Sequence, residues 1–151
     1  NILKTFFTLL TLLLFISCKK EQTDERFYKA ISNNNKDTAY LKLSEIDNQF
    51  NGKYLVIYSD KTFDLGNISG EIIGDTLKGK NKYISRRKSK FTKPIVFLKD
   101  NNQMKLGTGM VSYYFQIPFY ANGTIQFPDS LFQFIPIDKK EITHLKQELQ
   151  F

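Results

Sequence analysis

Short runs of alternating apolar and polar residues, separated by turn-forming residues, dominate the chain from Arg26 onward. In residues 38–46, Ala39, Leu41 and Leu43 alternate with polar neighbours, and Gly74-Asp75 is a dipeptide suited to the positive φ of a tight hairpin turn. Successive side chains of a strand point to opposite faces, so this period of two predicts half-buried strands joined by hairpins. The pattern favours an antiparallel sheet.

We predict eight to ten strands and one terminal helix. The strands are expected at 26–32, 38–46, 54–58, 66–73, 77–85, 94–98 and 104–114, with shorter ones near 120, at 124–127 and at 131–135. At Asp138 the period changes: Asp138 can cap a helix with Glu141 three residues on, and Ile142, Leu145 and Leu149 share one face. The predicted fold is all-β, an antiparallel up-and-down meander curling into a small barrel or strongly curved sheet, with a short C-terminal helix.

The first residues of the chain predict export. Lys4 precedes an unbroken, mostly apolar run over 6–16, which is shorter than the roughly 20 apolar residues that a membrane-spanning helix needs. This is the pattern of a signal peptide. Alternatives are an uncleaved anchor and a core helix that ends in Cys18. Since Cys18 is the only cysteine, the chain can form no internal disulfide.

Residues 15–18, Phe-Ile-Ser-Cys, resemble the lipobox of bacterial lipoproteins. The resemblance implies cleavage after Ser17 and attachment of lipid to Cys18, and two or three acyl chains would make the anchor effectively permanent. The expected organisation is a lipoprotein signal peptide over 1–17, a lipidated cysteine and polar tether over 18–25, and a single β domain over 26–151. The expected location is the cell envelope, lipid-anchored at the outer membrane, periplasmic or surface-facing.

Four segments carry a wider resemblance: 37–43, 51–55, 66–77 and 94–98. Their order and glycine spacing resemble a group of small, uncharacterised diderm bacterial lipoproteins with a glycine-punctuated β-meander domain, over roughly residues 27–109. The resemblance implies architecture and location, and no functional residue comes with it. This chain departs from the group at residues 85–90, Ser-Arg-Arg-Lys-Ser-Lys, where a polar or acidic turn is usual.

The chain is basic, with 22 Lys and Arg against 15 Asp and Glu and a formal net charge of +7. A lipid-anchored envelope protein with this charge is expected to meet anionic lipid, lipopolysaccharide or acidic glycan, and not nucleic acid. The sharpest cluster alternates along one predicted strand and continues through the next loop. Its members are Lys78, Lys80, Lys82, Arg86, Arg87, Lys88 and Lys90. We predict an anion-binding patch; the alternative is a solvated edge whose lysines discourage edge-to-edge pairing.

Residues for catalysis are sparse. Cys18 is assigned to lipid, and the single histidine, His144, lies in the predicted helix as an ordinary surface residue, so neither a nucleophilic triad nor a zinc site is expected. Four aspartates, Asp60, Asp64, Asp75 and Asp100, are predicted to serve turns. Residues 107–109, Gly-Thr-Gly, are predicted to form a bulge or a close backbone contact. We expect no enzyme activity, no cofactor and no metal.

The chain is 15% aromatic without tryptophan, which favours a β-rich core. The later aromatic residues either pack in that core or line a ligand cavity: Tyr113, Tyr114, Phe115, Phe119, Tyr120, Phe127, Phe132 and Phe134. The predicted function is a non-catalytic binding or interaction module on the membrane. Alternatives are a small-barrel carrier of an apolar or glycan ligand and an enzyme of unrecognised type. A filled interior favours surface interaction, a hollow one a carrier, and a cleft with facing carboxylates an enzyme.

Overall fold

The computed structural model describes residues 24–145 and residue 151. This part of the chain forms ten strands: β1 Glu25–Ile31, β2 Thr38–Ile46, β3 Gln49–Ile57, β4 Phe63–Ile73, β5 Thr76–Ile84, β6 Lys90–Asp100, β7 Gln103–Leu106, β8 Val111–Tyr114, β9 Ile117–Tyr120 and β10 Gln133–Ile137. A 3₁₀ turn over Lys139–Ile142 continues as a helical turn over 143–145.

Eight of these strands form a closed antiparallel barrel, and β8 and β9 form a separate two-stranded hairpin. Strands β2 to β7 are neighbours in chain order, an up-and-down meander. Strand β10 closes the barrel by pairing with β7 on one side and β1 on the other. The predicted all-β barrel with a short C-terminal helix is therefore confirmed.

Aromatic rings fill the barrel interior. Tyr54, Phe97 and Phe134 meet edge to face, with ring centroids 5.9–6.2 Å apart. Phe97 and Phe134 are completely buried. Aliphatic side chains from the inward positions pack around these rings: Ala39, Leu41, Leu43, Ile68, Leu77, Ile95 and Met104. Burial at about 25 cal/mol per Å² of apolar surface makes this core the main source of stability.

A second apolar cluster lies outside the barrel wall, under the C-terminal helix. The helix is capped by Asp138, whose carboxylate accepts a hydrogen bond from the backbone N–H of Lys140 at 2.9 Å. Ile142 and Leu145 are buried against the outward side chain of Leu55 and its neighbours. The predicted cap and apolar face are confirmed at these positions, while Leu149 lies outside the described residues.

The predicted strand over 104–114 is wrong, because the structure divides it into β7 and β8 at Gly107. A Cβ at Gly107 would lie 2.6 Å from the ring of Phe127 and 2.7 Å from the side chain of Val96, which confirms the predicted close contact. The predicted strand over 124–127 is also wrong, since only Gln126 forms an isolated bridge, to Thr108.

The four aspartates divide differently from the prediction. Asp60 and Asp75 lie in turns, and Gly74 beside Asp75 has the expected positive φ of 59°. Asp100 is the last residue of β6. The prediction for Asp64 is wrong, because it lies within β4, where its carboxylate binds groups from two other segments.

The predicted signal peptide, Cys18 and most of the predicted tether lie outside the described residues. Glu25, assigned to the tether, already forms part of β1 and pairs with Lys42 at 2.7 Å. In the part of the chain that the structure describes, no helix is long and apolar enough to cross a membrane.

Candidate functional site

A groove of about 830 Å³ runs along the outside of the barrel, between strands β3 to β6 and the β8–β9 hairpin. This volume is in the range of sites for small molecules, roughly 300–1,000 Å³. We call it the wall groove. Its lining combines apolar and aromatic side chains with amides, a hydroxyl and charges: Ile46, Asp47, Gln49, Phe50, Asn51, Ser69, Glu71, Lys78, Lys80, Ile95, Val96, Ile117, Pro118, Phe119, Tyr120 and Asn122.

Hydrogen bonds at the base of the hairpin hold it against the barrel. The Thr124 hydroxyl donates to the carbonyl of Ala121 at 2.7 Å and accepts from the backbone N–H of Met110 at 3.0 Å. On the barrel side, the Lys78 ammonium donates to the side-chain oxygen of Asn122 at 3.2 Å. Strand β5 and the loop after β9 are thereby joined across the groove, so the hairpin wall of the groove is fixed in position.

Two glycines bring the backbones of β4 and β5 close together beside the groove. Gly70 of β4 and Gly79 of β5 are paired in register, and both line the groove. A Cβ at Gly79 would overlap the carbonyl oxygen of Ser69, and one at Gly70 would overlap that of Lys78. Only glycine permits this close backbone approach, which is typical of a sharp bend in a barrel wall.

The three alternating lysines of β5 face outward, because the residues between them point inward. Leu77 and Asn81 are buried at 0% and 2% exposure. Lys78 and Lys80 line the wall groove, whereas Lys82 is exposed and lies beyond it. Among the described residues Lys80 and Lys82 have no carboxylate partner within ion-pair distance. Lys80 is thus an available cation inside the groove.

The remaining four cations of the predicted patch lie at the other end of the β5–β6 hairpin. Arg86 packs its guanidinium 4.8 Å from the ring centre of Tyr58 and donates its backbone N–H to Asp64 at 2.8 Å. Arg87, Lys88 and Lys90 are exposed in or beside the turn. Lys80 lies four residues, roughly 13 Å, before the end of β5 at Ile84, and Arg86 to Lys88 lie in the turn beyond that end. The structure does not bring the seven cations into one site.

Arg86 belongs to a polar cluster at this barrel end. The Tyr58 hydroxyl donates to Asp64 at 2.7 Å, and burial, followed by this hydrogen bond, raises the pKa of Tyr58. Lys93 lies 4.7 Å from the ring centre of Tyr83, and burial lowers the pKa of its ammonium. The side-chain oxygen of Asn81 is buried without a hydrogen-bond partner. These contacts join β3, β4, β5 and β6.

Two carboxylates line the wall groove, Asp47 and Glu71, and both are exposed. Within residues 24–145 and at 151, no group of three or more His, Cys, Asp and Glu is arranged to hold a metal. His144 is exposed on the C-terminal helix. The groove is chemically equipped for binding.

The predicted aromatic set separates into four places, and Phe127 alone lies beside Gly107. Phe134 is in the barrel core, with Phe132 packed against it, and Phe119 and Tyr120 line the wall groove. Both predicted alternatives are wrong for the hairpin tip, because its rings are neither in the core nor in a cavity. Tyr113, Tyr114 and Phe115 are 69%, 68% and 82% exposed.

Sequence reasoning missed the hairpin as the second wall of the groove. One signal was available, because residues 106–128 contain no charged side chain in a chain of which 25% is charged. Comparison with protein-family models, curated proteins and solved structures finds no match to this chain.

Proposed function

We propose that the protein is a membrane-anchored envelope lipoprotein that acts as a non-catalytic binding module, with the wall groove as its site for an acidic glycan. The observation that carries the proposal is the placement of Lys80, a cation without a described ion-pair partner, in a groove with aromatic and amide side chains. The barrel interior is occupied by its own rings, so a ligand is expected outside it.

The chemistry of the groove matches a sugar that carries a carboxylate. Tyr120 and Phe119 offer flat apolar surface to the apolar face of a sugar ring. Gln49, Asn51 and Ser69 offer donors and acceptors for hydroxyl groups. A carboxylate on the ligand would form a charge-assisted hydrogen bond with the Lys80 ammonium, which is stronger than a bond between neutral groups.

Membrane attachment is supported by the leader: the apolar run over 6–16 ends at Ser17-Cys18, and acylation there would hold the barrel at a bilayer. The carrier alternative receives less support than surface binding because the described interior is packed with Phe, Leu and Ile. The enzyme alternative receives less support because Asp47 and Glu71 are open to solvent.

Binding is tested with two matched ligands, a short oligogalacturonate and its methyl ester, titrated into the full chain in detergent by calorimetry. The acid form is expected to bind and the ester to bind weakly. Lys80→Glu is expected to weaken binding of the acid form at least about tenfold, because one charge-assisted hydrogen bond contributes roughly 1.5–3 kcal/mol.

The matched control is Lys82→Glu, which makes the same charge change on the same face of β5 but outside the groove. It is expected to weaken binding several-fold less than Lys80→Glu, because a charge roughly 7 Å further along the strand acts through partly screened attraction and forms no direct hydrogen bond with the ligand. Equal losses in both variants would indicate general attraction to a basic surface. That result, or no binding of the acid form at low salt, would contradict the proposal.

A further inference from the structure

The tip of the β8–β9 hairpin is the most exposed apolar element of the described chain. Tyr113 and Tyr114 precede the turn, Phe115 occupies it, and Ile117 follows at 50% exposure. Phe115 is 82% exposed, and its ring contacts that of Tyr114 at 4.6 Å between centroids. Exposed apolar surface of this kind, concentrated in one element, marks a binding surface for a partner or a membrane.

The turn itself gives no reason for a phenylalanine. Phe115 and Gln116 both have positive φ, 45° and 65°. Turns of this type favour Asn and Gly, and an aromatic residue is unfavourable in the left-handed region. Phe115 therefore weakens its own turn and buries little of its ring. A contact between the Phe115 ring and something outside the molecule would explain why a phenylalanine occupies this turn.

The hairpin tip is held in a fixed position. Pro118, two residues after the turn, is buried, and at the base the backbone N–H of Ala121 donates to the carbonyl of Met110 at 2.8 Å. The strands are four residues each, shorter than the 9–11 residues that cross a bilayer. The element is suited to enter a surface layer and not to span it.

We propose that this hairpin tip inserts into the interfacial region of the bilayer to which the protein is anchored. The inference rests on the proposed function, because it takes Cys18 as the lipid attachment site. From Cys18 to Glu25 the chain reaches at most roughly 25 Å, so the barrel is kept beside the membrane.

The chemistry of the tip matches that region. Tyrosine is enriched at membrane interfaces, where its ring lies among apolar groups and its hydroxyl meets water. No charged residue occurs from 106 to 128, so insertion does not require removal of a charge from water. Lys78 and Lys80, on the wall beside the hairpin base, complement anionic headgroups.

The test uses the absence of tryptophan from the chain. Phe115→Trp places a single reporter at the tip of the lipidated full chain, reconstituted in vesicles of phosphatidylcholine and phosphatidylglycerol. We expect its emission to shift to shorter wavelength and to be quenched by brominated phospholipid. Phe91→Trp is the control. Phe91 lies near the start of β6, away from the hairpin, and its ring is 51% exposed. It is expected to show neither effect.

Tyr113→Trp is a second reporter on the same hairpin and keeps the test decisive if Phe115→Trp does not fold. An emission maximum typical of water in the vesicle-bound protein would overturn the inference. So would a shift that occurs without vesicles and grows with protein concentration, because it would assign the tip to a second copy of the chain.

Failure of anchoring is measured separately. Metabolic labelling with a fatty-acid analogue should mark the natural chain and not Cys18→Ser. Retention of label in Cys18→Ser would contradict the proposed function itself. By contrast, an unquenched tip in a labelled protein that still binds oligogalacturonate contradicts only the inference about the hairpin.

Discussion

Tyr58 and Asp64 illustrate how single residues stabilise one end of the barrel. The Tyr58 hydroxyl donates to the Asp64 carboxylate at 2.7 Å, and the other carboxylate oxygen accepts the backbone N–H of Arg86 at 2.8 Å. One aspartate thus connects the end of β3 with the turn after β5. The alternation of residue types indicated which positions face inward, but it did not reveal that a carboxylate near the start of β4 would have partners in both turns.

The burial of Tyr58, together with its hydrogen bond to Asp64, predicts a specific dependence of stability on pH. The pKa of Tyr58 is raised above its ordinary value of 10.0, so the folded state holds the proton more tightly than the unfolded state. The resulting stability is fully present below about pH 10 and is lost as the pH rises through the folded-state value. Tyr58→Phe is expected to lower the free energy of unfolding by about 1 kcal/mol at pH 7 and to make its decline above pH 10 shallower.

Urea unfolding at pH 7, 10 and 11 measures both effects. Tyr113→Phe is the matched control, because its ring is exposed on the hairpin. It should leave the free energy of unfolding unchanged at pH 7. An equally steep alkaline decline in Tyr58→Phe and the natural chain would show that Tyr58 is not the source.

At the scale of elements, the closing strand β10 is the critical one. It pairs with β1 and β7, and Phe134 is its inward ring, in contact with Phe97 and Tyr54. Phe134→Ala is expected to lower the free energy of unfolding by about 3–5 kcal/mol, because it removes a fully buried ring and leaves a cavity. The measurement is chemical unfolding of purified protein followed by circular dichroism.

Ile135→Ala is the control on the same strand. Its side chain is 51% exposed on the outer face, so a loss below about 1 kcal/mol is expected. If the two substitutions destabilise equally, Phe134 does not have the central place in the core that the structure gives it.

Elements with clear alternation were predictable, and those decided by distant contacts were not. Strand β2 matches its predicted range because Ala39, Leu41 and Leu43 alternate without interruption. The run over 104–114 was predicted as one strand, although Gly107-Thr108-Gly109 indicated a bulge or a close contact within it. The break at Gly107 results from close contact with Val96 and Phe127, which are distant along the chain.

At the scale of the whole molecule, a filled barrel with a side hairpin places binding on the outer wall. The sequence identified Lys78 and Lys80 among the groove residues, since alternating lysines must share a face of a strand. The sequence did not show that Lys78 and Lys80 lie apart from Arg86 and Lys88, because the length of the β5–β6 hairpin sets the distance between them. Nor did residue type distinguish the buried ring of Phe134 from the exposed ring of Phe115.

The central claim is that ligand binds in the wall groove and not within the barrel. It is tested most directly by filling the groove: Ser69→Trp adds a large ring at an exposed groove position, while Asn67→Trp adds the same ring two residues away on the same outer face, beyond the groove. In titration with oligogalacturonate, Ser69→Trp is expected to lose binding at least about tenfold, roughly 1.4 kcal/mol, and Asn67→Trp to retain it. Equal affinity of Ser69→Trp and the natural chain, with both folded by circular dichroism, would contradict the account.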